Sequence, residues 1–224
     1  MPYAALYWPT KKIATVGGFA VGVCYLALSG GNVATERAFI MVAVMFGAIL
    51  LGRRALTLRA VAVAALIVLV LRPEALTGPG FQMSFAATTA LVAVFSALRD
   101  MPRILPKWSS PIVVVVVSSA VAGFATAPFA AVHFNQISHY GLIANLLAVP
   151  MMGTVVMPAA VLAVCLAPFD LAWIGFWIME QRLTWILFVA QSAASQPRAV
   201  SHVVTPAPVV LALLALGGLL IILW

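Results

Sequence analysis

The chain has 224 residues, of which only 8% are charged and 65% are hydrophobic, and its mean hydropathy is +1.16. Soluble domains carry about 25% charged residues, so this composition excludes a soluble protein, and the abundance of apolar residues excludes a disordered one. Because a membrane-crossing helix uses about 20 apolar residues, the length accommodates about eight such helices joined by short loops.

Eight apolar runs follow one another along the sequence. They predict an all-α, polytopic transmembrane helical bundle with about 7–8 membrane segments, some of them broken or re-entrant. The segment Ser29-Gly30-Gly31-Asn32 after the first run is a candidate for such a re-entrant or unwound piece. The runs are Ile13–Leu28, Ala38–Leu51, Ala60–Leu71, Phe81–Leu98, Ile112–Val132, Gly141–Ala167, Leu171–Ala190 and Val203–Leu223.

Two of these runs do not fit a simple membrane span. The run 141–167 is too long and contains Pro150 and Pro158, so a kinked or broken helix is expected. The run 171–190 has Glu180 and Arg182 at its middle. It either crosses with both charges inside the bilayer or lies flat at the interface, which its many aromatic residues suit. We favour the flat placement, and the crossing one stays open.

The basic residues sort to one side of the predicted membrane. If the N-terminus is cytoplasmic and the first six runs cross, the inner side carries eight basic residues and the outer side only Arg37 and Arg72. This asymmetry follows the positive-inside rule, so the net charge of +7 mainly records topology. Trp8 and Trp108 lie beside basic clusters, as interfacial aromatic residues do. The eight inner residues are Lys11, Lys12, Arg53, Arg54, Arg59, Arg99, Arg103 and Lys107.

Polar residues near or inside the spans are the candidates for function, because hydrocarbon penalises polar groups. Arg37 is interpreted either as the partner of Glu36 in an interfacial ion pair or as an anion-binding residue in a polar vestibule. Gln82 and Ser84 follow a Gly-Pro-Gly turn and serve either helix capping and packing or a polar path. Asn145 and Pro150 mark either a simple kink or a polar site of the transporter type.

The segment from His133 to His139 is the densest polar cluster beside a predicted span, which indicates a solvated loop or channel mouth. Its two histidines lack a nearby carboxylate, so no metal site is predicted, and no cofactor is expected. The sequence contains no G-x-x-x-x-G-K-[ST], H-E-x-x-H or G-x-S-x-G, and no enzymatic activity is predicted. An intramembrane hydrolase using Ser29 with His133 or His139 is a further alternative that topology does not exclude.

Three sequence blocks, taken together, resemble the ComEC family of competence proteins, which are inner-membrane channels for DNA uptake. Gly80 to Ala86 is similar to the family signature G-F-Q-L-S-F-x-A, with Met83 in place of leucine. Tyr25 to Gly30 with Ala34 to Met41 resembles a second family block, and a third covers Ala127-Pro128, Phe134, Gly141, Asn145, Pro150 and Pro158. Residues 1–224 then look like one incomplete membrane-embedded competence domain, without the OB-like and metallo-β-lactamase-like nuclease domains of other members.

The resemblance implies a channel component that passes single-stranded DNA into the cytoplasm during natural transformation. It implies a multi-pass protein of the bacterial inner (plasma) membrane with a cytoplasmic N-terminus. Expected partners are single-stranded DNA, membrane lipid, a surface DNA receptor, a cytoplasmic helicase-like motor, a separate nuclease domain and, in a homo-oligomer, further copies. A small-solute or lipid transporter using residues 141–167 is the alternative. The residues expected along the DNA path are Gly30, Asn32, Arg37, Gln82, Ser84, His133, Asn135, Asn145 and Pro150.

Overall fold

A computed structural model describes residues 10–99, 110–204 and 208–223 of the chain. The predicted interfacial residues Trp8 and Trp108 and the inner basic residues Arg103 and Lys107 lie outside these ranges. The helices are α1 (Thr10–Leu28), α2 (Val33–Leu50), α3 (Leu58–Leu71), α4 (Pro79–Arg99), α5 (Ser110–Phe134), α6 (Gly141–Met151), α7 (Met157–Leu166), α8 (Ala172–Ala194) and α9 (Pro208–Leu223). Short 3-10 turns cover Pro73–Thr77 and Ala167–Phe169, a π-helical segment covers Met152–Val156, and two strands are β1 (Gln136–Ser138) and β2 (Val200–His202).

The exterior of this helical protein is apolar, as a membrane protein requires. Within the described ranges, four stretches are long and apolar enough to cross a membrane, namely Val33–Leu50, Pro79–Arg99, Val113–Phe134 and Gly141–Phe169. Large apolar side chains such as Leu28 and Phe124 point outward and are 87% and 78% exposed. In water these surfaces would drive aggregation, whereas lipid tails cover them without penalty. The prediction of an all-α helical membrane protein is confirmed.

The contacts divide the chain into two compact units. The first contains described residues 10–99 and 218–223, and the second contains 110–204 and 208–217. In the first unit, a buried cluster of Ile40, Ala64, Val68, Phe81 and Phe85 joins α2, α3 and α4. The rings of Phe81 and Phe85 lie 4.4 Å apart between centroids. Phe81 lies in the first turn of α4, Val68 lies in the last turn of α3, and Ile40 lies two turns into α2. The cluster therefore packs these three helices together near the starts of α2 and α4.

Glycine ends both α1 and α2. Gly30 has a φ of +69°, and the N–H of the following Gly31 donates to the carbonyl of Leu26, in the pattern of a Schellman cap. Gly52 closes α2 in the same way, with a φ of +68°. The segment from Ser29 to Asn32 is therefore a tight turn between two helices that pack on each other.

In the second unit, a small antiparallel sheet follows α5. The register pairs Gln136 with His202 and Ser138 with Val200. Asn135 precedes β1 with a φ of 54°, and its carbonyl accepts a hydrogen bond of 3.0 Å from the N–H of Val203. Residues 133–139 were predicted to form a polar loop, without a strand. Three-residue strands that pair across about 60 positions leave no local pattern to detect.

The long helix with two prolines is distorted but stays helical. Pro150 lies inside α6, and a π-helical turn of five residues separates it from Pro158 in α7. The Thr154 hydroxyl donates to the carbonyl of Pro150 over 2.7 Å. Proline cannot donate a backbone hydrogen bond and crowds the preceding turn, and a π-turn is a common way to absorb such a defect. The predicted break is thus a change of helix type rather than an unwound segment.

A helical hairpin completes the second unit. The turn Ala167–Phe169 reverses the chain, with Asp170 in the left-handed conformation at φ 57°. Helix α8 then packs along α7, the π-segment and α6. The contact at its start is very close, because a Cβ on Gly175 would lie 2.6 Å from the Cβ of Ala163 and 2.7 Å from the carbonyl oxygen of Ala159. Small residues at a helix crossing are typical of membrane helices.

Candidate functional site

The candidate site lies where the starts of α2 and α4 meet the end of α3. Asn32 begins α2, and its Oδ1 accepts a hydrogen bond of 3.1 Å from the N–H of Ala34. This cap places Glu36 and Arg37 inside the first turns of the helix, whereas the predicted apolar run begins only at Ala38. Both side chains are half-buried.

Glu36 pairs with the end of α3 and not with its neighbour in sequence. Its Oε2 lies 2.9 Å from Nη2 of Arg72. Successive residues on a helix point about 100° apart, so a carboxylate turned toward α3 is turned away from the next side chain. The interpretation of Arg37 as the ion-pair partner of Glu36 was therefore wrong.

The Arg37 guanidinium lies against the first turn of α4. A Cβ on Gly80 would lie 2.6 Å from Nη1 and 2.8 Å from Nη2 of Arg37, so only a glycine allows this approach. The Nε of Arg37 is buried and has no hydrogen-bond partner among the described residues. Arg37 also forms no ion pair within those ranges, and the carboxylate of the adjacent Glu36 pairs with Arg72 instead.

The start of α4 adds positive potential at the same point. Pro79 has no N–H, and the first intrahelical bond that is formed runs from the N–H of Gln82 to the carbonyl of Gly78. The N–H groups of Gly80 and Phe81 therefore have no intrahelical acceptor, and the helix dipole places partial positive charge there. A guanidinium beside a helix N-terminus, without a carboxylate of its own, is suited to an anion such as a phosphate.

A small open depression lies beside this cluster. It has room for about one water molecule, with apolar walls from α2 and α3 and the charged groups at its edge. Its lining residues are Val33, Glu36, Arg37, Ile40, Val68, Leu71, Arg72 and Ala75. Because Arg37 is half-buried, an anion held there would be partly shielded from solvent, which strengthens its attraction to the guanidinium.

The other predicted path residues of the first unit have different structural roles. Gln82 lies two positions after Gly80, and its Nε2 donates to the carbonyl of Leu76 over 2.9 Å. Ser84 lies one turn further along α4, and its carbonyl accepts the hydroxyl of Thr88. Gly30 shapes the turn before α2, and Asn32 caps that helix. The predicted lining of a DNA path by these residues stays a prediction.

Asn32 allows capping and path lining to be separated by mutation. Asn32→Ser should keep both the cap and normal function, and Asn32→Ala should cost about 1 kcal/mol of stability through loss of the cap. Asn32→Asp keeps the cap but adds a negative charge, so it should lower DNA internalisation if the side chain lines an anion path. Thermal unfolding in detergent and uptake of labelled DNA are the two measurements. Normal uptake by Asn32→Asp would restrict the residue to its capping role.

The remaining predicted residues belong to the second unit. His133 lies in the last turn of α5, and Asn135 shapes the entry to β1. Asn145 is exposed on α6, one and a half turns before Pro150. The structure thus divides the nine predicted residues between two units, with Gly30, Asn32, Arg37, Gln82 and Ser84 in the first and His133, Asn135, Asn145 and Pro150 in the second.

Several contacts at these sites were missed from sequence. The Nε2 of His139 lies 2.7 Å from the Oγ of Ser201, a pair 62 positions apart that ties the end of β1 to β2. Ser29, the serine considered for a hydrolase, donates its hydroxyl to the carbonyl of Leu26 over 2.9 Å. No group of three or more metal-binding side chains occurs within the described ranges. The Gly-Pro-Gly turn drew attention to Gly80 in the sequence, but nothing in the sequence indicated that Gly80 contacts Arg37.

The fold and this cluster define a polytopic helical membrane protein with a basic site at one end of a helix trio. The chain belongs to the Competence protein family, whose family model matches residues 2–224. It is similar to ComE operon protein 3 of Bacillus subtilis (strain 168), with 24% identity over 200 residues that cover 88% of this chain and 25% of that protein. The chain therefore spans about a quarter of that relative. No solved structure matches it significantly.

Proposed function

We propose that the chain is a component of an inner-membrane channel through which single-stranded DNA enters the bacterial cytoplasm during natural transformation. The observation that carries the proposal is the Arg37 guanidinium, which lies at the start of α4 without a carboxylate partner in the described ranges. A DNA strand is a polyanion, and a path for it through a membrane needs positive groups that contact its phosphates. Membership in the Competence protein family supports the same conclusion.

The charge asymmetry supports an orientation for this site. A cytoplasmic N-terminus puts eight basic residues on the inner side, and the turn between α1 and α2 then lies on the outer side. Arg37 is close to that turn, so it would meet a strand arriving from outside. The inner basic residues would meet the strand as it leaves. In this arrangement a surface receptor delivers DNA, and a cytoplasmic helicase-like motor and a nuclease domain act with the channel.

Removal of the gene from a naturally transformable host is the direct test. Labelled double-stranded DNA should still bind to the cell surface, whereas internalised, nuclease-resistant single-stranded label should fall to background. Expression of the intact chain should restore internalisation. Normal internalisation in the deletion strain would disprove the proposal.

A small-solute or lipid transporter is the second candidate, and the π-segment at Met152–Val156 favours it. π-turns are frequent at functional sites, and this one lies in a helix whose middle carries the exposed Thr154. The two candidates differ in phenotype. A deletion strain that internalises DNA normally but loses uptake of a solute or changes its lipid composition would establish the transporter.

A further inference from the structure

One face of α8, here called the seam, consists of small and apolar residues except for a single arginine. Positions spaced alternately four and three residues along α8 from Gly175, which contacts Ala159 and Ala163, define one face of the helix, as in a helix-packing seam. All but one of these positions are buried or half-buried, and the exception is Arg182, whose side chain is exposed. The seam consists of Gly175, Met179, Arg182, Ile186, Val189 and Ala193.

Arg182 lies level with the π-segment. Gly175 packs against Ala159 and Ala163 at the start of α8, and the hairpin makes α8 antiparallel to α7. Arg182 is seven residues, or about 10.5 Å, beyond Gly175 along α8. At that distance α8 has passed Met157, where α7 begins, and it lies beside the π-helical turn that precedes α7. Contacts between α8 and that turn are present. Arg182 is thus at the level of the π-helical turn.

We propose that α8 crosses the membrane and that Arg182 contacts the phosphodiester backbone of single-stranded DNA in the second unit, an inference that rests on the proposed function. The stretch Gly141–Phe169 is long and apolar enough to cross. Helix α8 lies along the whole of it, whereas a helix lying flat at the interface would touch only one end. Arg182 is near the middle of the 23-residue α8 and so near mid-membrane.

The charge at this depth has no counter-ion within the described part of the chain. The nearest acidic residue in sequence, Glu180, is two positions away and points about 200° from Arg182 around the helix. Neither residue forms an ion pair there. A charged group at mid-membrane is costly unless it faces water, protein or a bound ion. A guanidinium has a planar fork of N–H donors that matches phosphate, which favours a phosphodiester as its ligand.

Cysteine labelling tests the crossing without reference to DNA uptake. Cys24 and Cys165 are free, so Cys24→Ala with Cys165→Ala gives a cysteine-less background. In intact cells, a membrane-impermeant thiol reagent should label only one of Trp173→Cys and Gln191→Cys, which lie at opposite ends of α8. Equal labelling of both from outside would show a flat helix and overturn the inference.

A second labelling pair tests whether Arg182 faces water. Arg182→Cys should react with the same reagent in permeabilised cells, and Leu187→Cys, on the outer apolar side of α8, should not. Single-stranded DNA added beforehand should slow labelling at position 182. Labelling that DNA does not slow would show a polar pocket filled by water or by a protein carboxylate, and the phosphate contact would be rejected.

Uptake by charge variants then tests the role of the residue. Arg182→Ala should reduce internalised single-stranded DNA about tenfold or more, as expected for loss of one charge-assisted contact to phosphate. Arg182→Lys should be intermediate, and Glu180→Gln on the other side of α8 should match the wild type. Normal uptake by Arg182→Ala in a host whose deletion strain is defective would reject this inference alone. Normal uptake by the deletion strain itself would reject the proposed function.

Discussion

Replacing Arg37 with alanine should lower the internalisation of single-stranded DNA at least about tenfold, while DNA bound at the cell surface and the amount of protein stay unchanged. A hydrogen bond to a charged group contributes about 1.5–3 kcal/mol, and 1.4 kcal/mol corresponds to a factor of about ten in binding. Because the Nε of Arg37 has no partner among the described residues, the substitution breaks no ion pair there and should leave the fold intact. Internalised label and immunoblotting measure the two effects.

Two further variants separate the position of the guanidinium from its charge. Gly80→Ala would place a Cβ 2.6 Å from Arg37 Nη1, and the flexible end of the arginine would move away rather than the helices. This variant should therefore lose uptake with little loss of stability, although the arginine is still present. Glu74→Gln neutralises an exposed charged residue of the same unit that has no place in the proposed DNA path, and it should retain uptake. Wild-type uptake in both Arg37→Ala and Gly80→Ala would contradict the assignment of the site.

Replacing Gly175 with leucine should prevent the α7–α8 hairpin from closing. A Cβ at this position would lie 2.7 Å from the backbone nitrogen of Ala163 and equally close to the carbonyl oxygen of Ala159. Backbone atoms cannot move aside as a flexible side chain can, so the two helices would have to separate. Overpacking costs about 1–3 kcal/mol for added methylenes in a core, and leucine adds a whole branched side chain.

The expected measurement is a lower midpoint of thermal unfolding in detergent and a several-fold lower protein level in the membrane. Even Gly175→Ala should be destabilising, with a smaller effect. Gly123→Ala is the matched control, because Gly123 lies in α5 and a Cβ there meets nothing within 4 Å. Alanine favours a helix more than glycine does, so the control should be neutral or slightly stabilising. Equal stability of the Gly175 and Gly123 variants would contradict the close packing described.

The membrane class and most helices were predictable from sequence, because apolar runs of this length leave few alternatives. The ends of the helices were less so. Helix α2 starts at Val33 rather than at Ala38, because Asn32 caps the helix. The polar residues between Asn32 and Ala38 therefore belong to its first turns. The prolines at 150 and 158 predicted a distortion, yet proline alone does not distinguish a kink from a π-turn.

The candidate site could be predicted only in part. Arg37, Gln82 and the Gly-Pro-Gly turn were selected from sequence, and the structure places all three at the start of α4. The pairing of Glu36 with Arg72 could not be predicted from sequence, because the two residues are 36 positions apart. Their contact depends on how α2 and α3 are each rotated about their own axes. Sequence adjacency of Glu36 and Arg37 was misleading for the same reason. The direction in which side chains point is a property of packing.

The contact between Arg37 and Gly80 has a consequence for how this chain can diverge. Gly80 is not in the left-handed region of backbone space, so its own conformation does not demand glycine. The demand comes from the guanidinium that lies on it. The two positions should therefore covary among related sequences, with a residue larger than glycine at 80 accompanied by a shorter side chain at 37. A second-site change at 37 should likewise relieve crowding caused by a bulky substitution at 80.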